Sequence, residues 1–224
     1  MDGVLNLDKP AGISSAAAVG RVKRLLPRGT RIGHAGTLDP FATGVLLLLV
    51  GKATKASEKL MDQPKTYEAT VRLGATTATD DLESPEVLTT DAMPPTLEKI
   101  RAEVELFVGR VAQVPPRFSA MKVAGRRAYA LARKGRPVEL AARDVRIDAI
   151  DVLRWEWPFL YLRIECGRGT YIRALARDLG ERLAIGGYLT QLRRTRIGRF
   201  IVDRAVTLDR LLQQGVAGFI EPVD

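Results

Sequence analysis

The 224-residue chain holds one cysteine, Cys166, and one histidine, His34. That excludes an intrachain disulfide, a cysteine-rich zinc site and any multi-histidine metal centre. Thiol–imidazole catalysis would require those two residues to meet. Aromatic residues make up only 6% of the chain. The longest apolar run, residues 45–50, ends at Gly51, and a membrane helix needs about 20 such residues. No membrane association is expected. The opening residues, Met1-Asp2-Gly3-Val4, lack a basic stretch followed by an apolar one, so no secretory leader is expected and the cytoplasm is the expected compartment. Acidic residues are outnumbered, 26 against 35 basic, leaving a net charge of +9. Arginine supplies most of that excess, and no lysine follows Lys134. Guanidinium suits bidentate phosphate contact and base stacking. The charge is compatible with a nucleic-acid partner or simply with a basic soluble protein.

A hydrophobic fraction of 46% with 27% charged residues is ordinary for a folded domain. Residues 4–7 begin as a short strand. Ser14 or Ser15 then caps a helix running to about residue 26, stopped by Pro27 and Gly29. Residues 45–50 predict a strand buried on both faces. In residues 66–73, Tyr67, Ala69, Val71 and Leu73 alternate with Glu68 and Arg72, which predicts a half-buried antiparallel strand. Thr96 caps a helix to about residue 108. A strand over 159–166 leads through Gly167-Arg168-Gly169 into a helix over about 170–183, and 208–214 form a last short helix. So few strand–helix–strand units predict an α+β fold, a mainly antiparallel mixed sheet flanked by helices.

The densest signal is residues 33–44, Gly-His-Ala-Gly-Thr-Leu-Asp-Pro-Phe-Ala-Thr-Gly. Three glycines, a proline and two threonines cannot form a regular element, yet a buried strand follows at once. A rigid loop thus presents one carboxylate, Asp39, and one imidazole, His34, on a scaffold, as functional residues often are. Read alone, Asp39 before Pro40 is compatible with a simple Asx turn, and His34 with a satisfied loop histidine.

The whole segment resembles the catalytic signature of the TruB-type tRNA pseudouridine synthases, and the likeness runs along nearly the whole chain. Lys9-Pro10-Ala11-Gly12-Ile13-Ser14-Ser15 is similar to the family's amino-terminal motif. Lys65-Thr66-Tyr67 matches its Lys-x-Tyr strand, and Thr77, Thr79 and Asp81 its Thr-x-Thr-x-Asp turn. Gln113-Val114-Pro115-Pro116, Ser119-Ala120 and Lys122 look like the start of an RNA-clasping insertion over about 113–140. Gly169-Thr170-Tyr171-Ile172-Arg173 and the segment 189–196 match two further motifs.

The resemblance implies isomerisation of a tRNA T-arm uridine, position 55, to pseudouridine. The C1′–N1 bond breaks, the base turns, and C5 takes the sugar. No redox change occurs, so one carboxylate suffices without metal or organic cofactor. By the resemblance, Asp39 is that carboxylate. Tyr67 is a second catalytic residue, stacking on the flipped uracil with removal of a sugar proton open to it, and Arg173 pairs with Asp39 to orient it and favour its charged form. Leu192 presses on the other side of the base, and His34 fills the space the base vacates. Lys9 supports the loop or a phosphate, and Lys122, Arg126, Arg127, Arg133, Lys134 and Arg136 form a basic clasp. Inward packing of Tyr67 and Leu192, and a phosphate contact for Arg173, are the plainer readings of those residues.

Two departures accompany these matches. Residues 1–207 read as the catalytic domain, and 208–224 as a tail too short for the family's usual carboxyl-terminal RNA-binding module. Ser84 stands where the family usually has glycine. A monomer acting on tRNA without an obligate protein partner is expected. Two other readings stay open: a relative acting on ribosomal RNA with guide RNAs, and an RNA-binding protein without catalysis.

Overall fold

Runs of Val and Leu at the two ends of the amino-terminal segment set its architecture. Strand β1 (Gly3–Lys9) pairs antiparallel with β3 (Thr43–Val50), and β3 is buried along seven of its eight residues. The computed structural model describes residues 1–118, 122–123, 126–127 and 140–223, with 122–123 and 126–127 described by their backbone. Between β1 and β3 lie α1 (Ser15–Lys23), capped by the Ser14 hydroxyl, and β2 (Ile32–Ala35), antiparallel to β3. The helix ends at Lys23, three residues short of the expected stop.

The chain forms two compact units, and they do not follow its order. One comprises Met1–Glu68 with Gln191–Asp224, the other Ala69–Thr190. Their limits fall inside β4 (Lys65–Leu73) and β12 (Gly187–Ile197). In the first unit the Arg193–Arg194 end of β12 lies parallel to β3, while β13 (Phe200–Ile201) turns back on β12. Strand β14 (Val206–Thr207) adds to β1 in parallel, and α5 (Leu208–Gln214) follows as expected. Val45, Leu47 and Leu49 join Val4, Ala35, Leu60, Ile197 and Phe200 in the core of this unit. Strand β3 is therefore a central strand covered on both sides, as its composition predicts.

The second unit is built on antiparallel strands β7 (Gly109–Gln113), β10 (Arg143–Glu156) and β11 (Phe159–Cys166). A two-stranded pair, β5 (Ala75–Thr77) and β6 (Glu86–Leu88), stands beside them in this unit. Helix α3 (Leu97–Glu105), capped by Thr96, and helix α4 (Ile172–Arg182) complete it. The mixed α+β class, mainly antiparallel, is as expected. Two details differ. Strand β4 is buried on most of both faces, leaving only Glu68 exposed and Arg72 half-buried, because Thr66 and Thr70 are covered too. The 14-residue β10 has no counterpart in the sequence reading.

Candidate functional site: a carboxylate loop over two buried cations

The loop that carries Asp39 is tied down through its backbone. The Ser15 hydroxyl donates to Leu38 O at 2.9 Å and accepts from Leu38 N at 2.8 Å. Gly12 N donates to Pro40 O at 2.9 Å, and Ala42 N to Asp39 O at 3.2 Å. The Lys-Pro-Ala-Gly-Ile-Ser-Ser segment is thus the bracket of the Asp39 loop. Gly36 turns the chain at φ +90° and Gly44 at φ +100°, a left-handed region that side chains resist. At Gly44 a Cβ would also lie 2.2 Å from Arg194 O, so no other residue fits there.

Lys9 sits under the loop, fully buried. Its ammonium donates to Pro10 O and Ile13 O, both at 2.8 Å, and to Pro40 O at 3.3 Å. Of the two roles expected for Lys9, this placement is that of a loop support. Burial pushes its pKa down to about 8; Asp39 opposes the shift and Arg194 adds to it. Between about pH 8 and the ordinary 10.5, the unfolded chain holds a proton that the folded chain has released. Stability from this residue therefore rises with pH across that window. Denaturant titrations at several pH values should show wild type gaining up to about 1.4 kcal/mol per pH unit relative to Lys9→Met. Parallel curves for the two proteins would refute the burial of a charged Lys9.

The other expected residues of this unit occupy defined places. His34 lies half-buried on β2 opposite Leu48. Tyr67 on β4 and Leu192 on β12 are buried, at 7% and 8% exposure. Lys65, preceding Tyr67, spends its ammonium on Met61 O and Gln63 O, both at 2.7 Å. On β12, Arg193 makes a two-pronged pair with Asp8 at 3.1 and 2.9 Å. Arg194, 1% exposed, turns inward to backbone carbonyls of the Asp39 loop.

In the second unit Arg173 stands in the first turn of α4. Tyr171 precedes the helix without a side-chain cap; Gln113 pins its backbone, accepting from Tyr171 N at 2.8 Å and donating to Tyr171 O at 3.1 Å. Arg173 is 4% exposed and meets Asp81 at 3.0 Å. It also donates to Thr79 O at 3.0 Å and Phe118 O at 2.9 Å. Asp81 in turn accepts from the Thr79 hydroxyl at 2.6 Å and from Glu83 N at 2.9 Å. The turn motif marks Asp81 in the sequence, but nothing there points to Arg173 as its partner. Ser84, the departure from the family's glycine, accepts from Thr79 N at 3.1 Å and shares a 2.9 Å hydroxyl bond with Thr79. It stitches the same turn closed. Asp80 there adopts a left-handed φ of 59° and meets Arg177 at 3.2 Å; burial raises its pKa against that cation's pull.

Of the expected clasp, Lys122–Val123 and Arg126–Arg127 form a two-stranded ladder in which Lys122 faces Arg127. Arg133, Lys134, Arg136, Ser119 and Ala120 lie outside the described residues.

The chain overlays a chain of a Cbf5–Nop10–Gar1 complex with TM-score 0.73 at 29% identity, covering 98% of this chain and 57% of that one. It overlays a chain of an H/ACA ribonucleoprotein bound to a substrate RNA containing 2′-deoxyuridine with TM-score 0.71 at 28% identity. There 96% of this chain and 53% of the other are covered, so the chain spans little more than half the length of these structural relatives. The fold is one shared with a chain of an H/ACA ribonucleoprotein and a chain of a Cbf5–Nop10–Gar1 complex.

Residues 23–172 match the TruB family pseudouridylate synthase N-terminal domain, and residues 173–219 the tRNA pseudouridylate synthase B C-terminal domain. The tRNA pseudouridine synthase B of Mycobacterium bovis (strain BCG / Pasteur 1173P2) is 49% identical over 216 residues, 95% of this chain and 72% of that protein. The protein of the same name from Aromatoleum aromaticum is 48% identical over 227 residues, 100% of this chain and 73% of the relative. The chain belongs to the TruB family of pseudouridylate synthases.

Proposed function

We propose that this protein isomerises the T-arm uridine of tRNA, position 55, to pseudouridine. The observation that carries the reading is Asp39, a carboxylate on a loop whose backbone is bonded to Ser15, Gly12 and Lys9. A loop held this way delivers the carboxylate in one orientation, which is what a reaction with no cofactor requires of its single reacting group.

In the reaction the C1′–N1 bond breaks and a C5–C1′ bond forms. The proton leaves C5 and N1 gains one, so atoms balance without a co-reactant. The target base must leave the RNA stack before it reaches Asp39. Tyr67 and Leu192 are assigned to its two faces, His34 to the space it vacates, and Arg173 to the charge balance of Asp39. Lys122, Arg126, Arg127 and Arg133 are assigned to the RNA backbone, where contacts position without reading sequence. The protein acts as a monomer, in the cytoplasm, without an obligate protein partner. Identity near 49% to proteins named for tRNA, against 28% to a chain of an H/ACA ribonucleoprotein, favours tRNA over a guide-RNA-dependent substrate.

Tritium release from tRNA labelled at C5 of uridine tests the reading, because C5 loses its hydrogen only if the base is rejoined through that carbon. Wild type should release tritium from tRNA and from an isolated T-arm stem-loop. Binding without release would leave an RNA-binding protein. Loss of pseudouridine confined to ribosomal RNA in a deletion strain would replace the substrate.

A further inference from the structure

A second buried cation lies behind the Asp39 loop, and the proposed chemistry gives it no task. Arg194 is 1% exposed. Its Nε donates to Val45 O at 2.7 Å, after the loop, and the two terminal nitrogens donate to Gly36 O at 3.1 Å and Thr37 O at 3.4 Å, before it. One planar group therefore spans both flanks of Asp39. The contact has a backbone side as well. Gly44 lies against Arg194 so closely that a Cβ would meet its N, C and O within 3 Å.

Carbonyls are neutral acceptors, and neutral amide side chains would satisfy them with a far smaller desolvation penalty than a guanidinium. Arg194 is moreover buried near Lys9, another cation, whose pKa it helps lower. A merely structural tie would avoid that like-charge neighbour. What an arginine offers in exchange is a rigid fork, donors at fixed angles that an amide or an ammonium cannot match.

We propose that Arg194 is a positioning residue for catalysis: it clamps residues 36–37 to residue 45 and so fixes where the Asp39 carboxylate stands. The claim rests on Asp39 being the reacting group. The two neighbouring arginines of β12 differ in what they hold: part-exposed Arg193 pairs with Asp8 and donates to the Thr43 hydroxyl at 3.2 Å, whereas buried Arg194 holds backbone carbonyls on both flanks of Asp39.

The test compares wild type with Arg194→Lys and Arg194→Met. Single-turnover tritium release at saturating tRNA should fall about 100-fold in both, since small misplacement of a reacting group has effects of that order. The dissociation constant for tRNA should stay within about threefold. Amide exchange over residues 36–45 should quicken by about tenfold. Arg194→Lys keeps the buried charge, so it carries the test if Arg194→Met does not fold. Wild-type turnover in Arg194→Lys would overturn the proposal, as would quicker exchange with unchanged turnover, or a loss confined to tRNA affinity. If wild type itself released no tritium, the activity reading would fall, and loop exchange alone would decide whether Arg194 holds the loop.

Discussion

Asp39→Asn should abolish tritium release, a loss of at least about 10⁴-fold, because the substitution removes the one carboxylate assigned to the reaction. The amide is nearly the same size as the carboxylate. The bonds that hold the loop run to its backbone: Leu38 N and O to Ser15, Pro40 O to Gly12 and Lys9, Gly36 O to Arg194. None of these uses the Asp39 carboxylate as a partner; its charge bears on them only by helping to keep Lys9 protonated, so near neutral pH the loop should keep its shape. Affinity for tRNA should therefore change by less than about tenfold, or 1.4 kcal/mol. Filter binding and single-turnover assays on the same preparation separate the two effects. An active Asp39→Asn protein would refute the mechanism.

The second large effect concerns stability. In Asp81→Ala the guanidinium of Arg173 would remain buried without its carboxylate, and stranding one partner of a buried pair costs about 3–5 kcal/mol. Both side chains are at most 5% exposed, so solvent cannot take over the role. For a chain of this size the melting temperature should drop by roughly 10 °C. Arg173→Met in the same protein should recover part of the loss, since the stranded charge then disappears. By the role proposed for Arg173, turnover should fall in the single variant too, since Asp81 no longer holds that guanidinium. A drop below about 1 kcal/mol in urea titration would show the pair to be screened.

Much of this was readable in the chain. Ser14, Thr96 and the apolar run of β3 each signalled an element that is present, because caps and burial act locally. The Asp39 loop was readable because glycines and a proline forbid anything regular there. Strand β10 was not, and its burial explains why. Most of its residues face solvent or lie half-covered, and shifts of register after Ile147 and Val152 break the alternation that would have marked it. The Asp81–Arg173 pair joins residues too far apart for spacing to reveal. Arg194 carried a weak signal: it alternates with Leu192, on the covered side of β12, whereas Arg193 points the other way. Composition alone makes every arginine here look phosphate-seeking, and only the fold tells which are spent inside.

The first unit is closed by residues from the far end of the chain. Asp39 and its bracket at Lys9–Ser15 leave the ribosome early, but the guanidinium that grips both flanks of the loop belongs to residue 194, a separation of 149 residues from Val45. Contacts this distant form late, after the intervening chain has been made and its ends brought together. During synthesis the nascent chain therefore carries Asp39 on a loop held by its Lys9–Ser15 bracket but not yet gripped by Arg194. On the proposed function, the loop gains its last tie only once translation has passed β12, so an unfinished copy that meets a tRNA on the ribosome should modify it far more slowly than the finished protein.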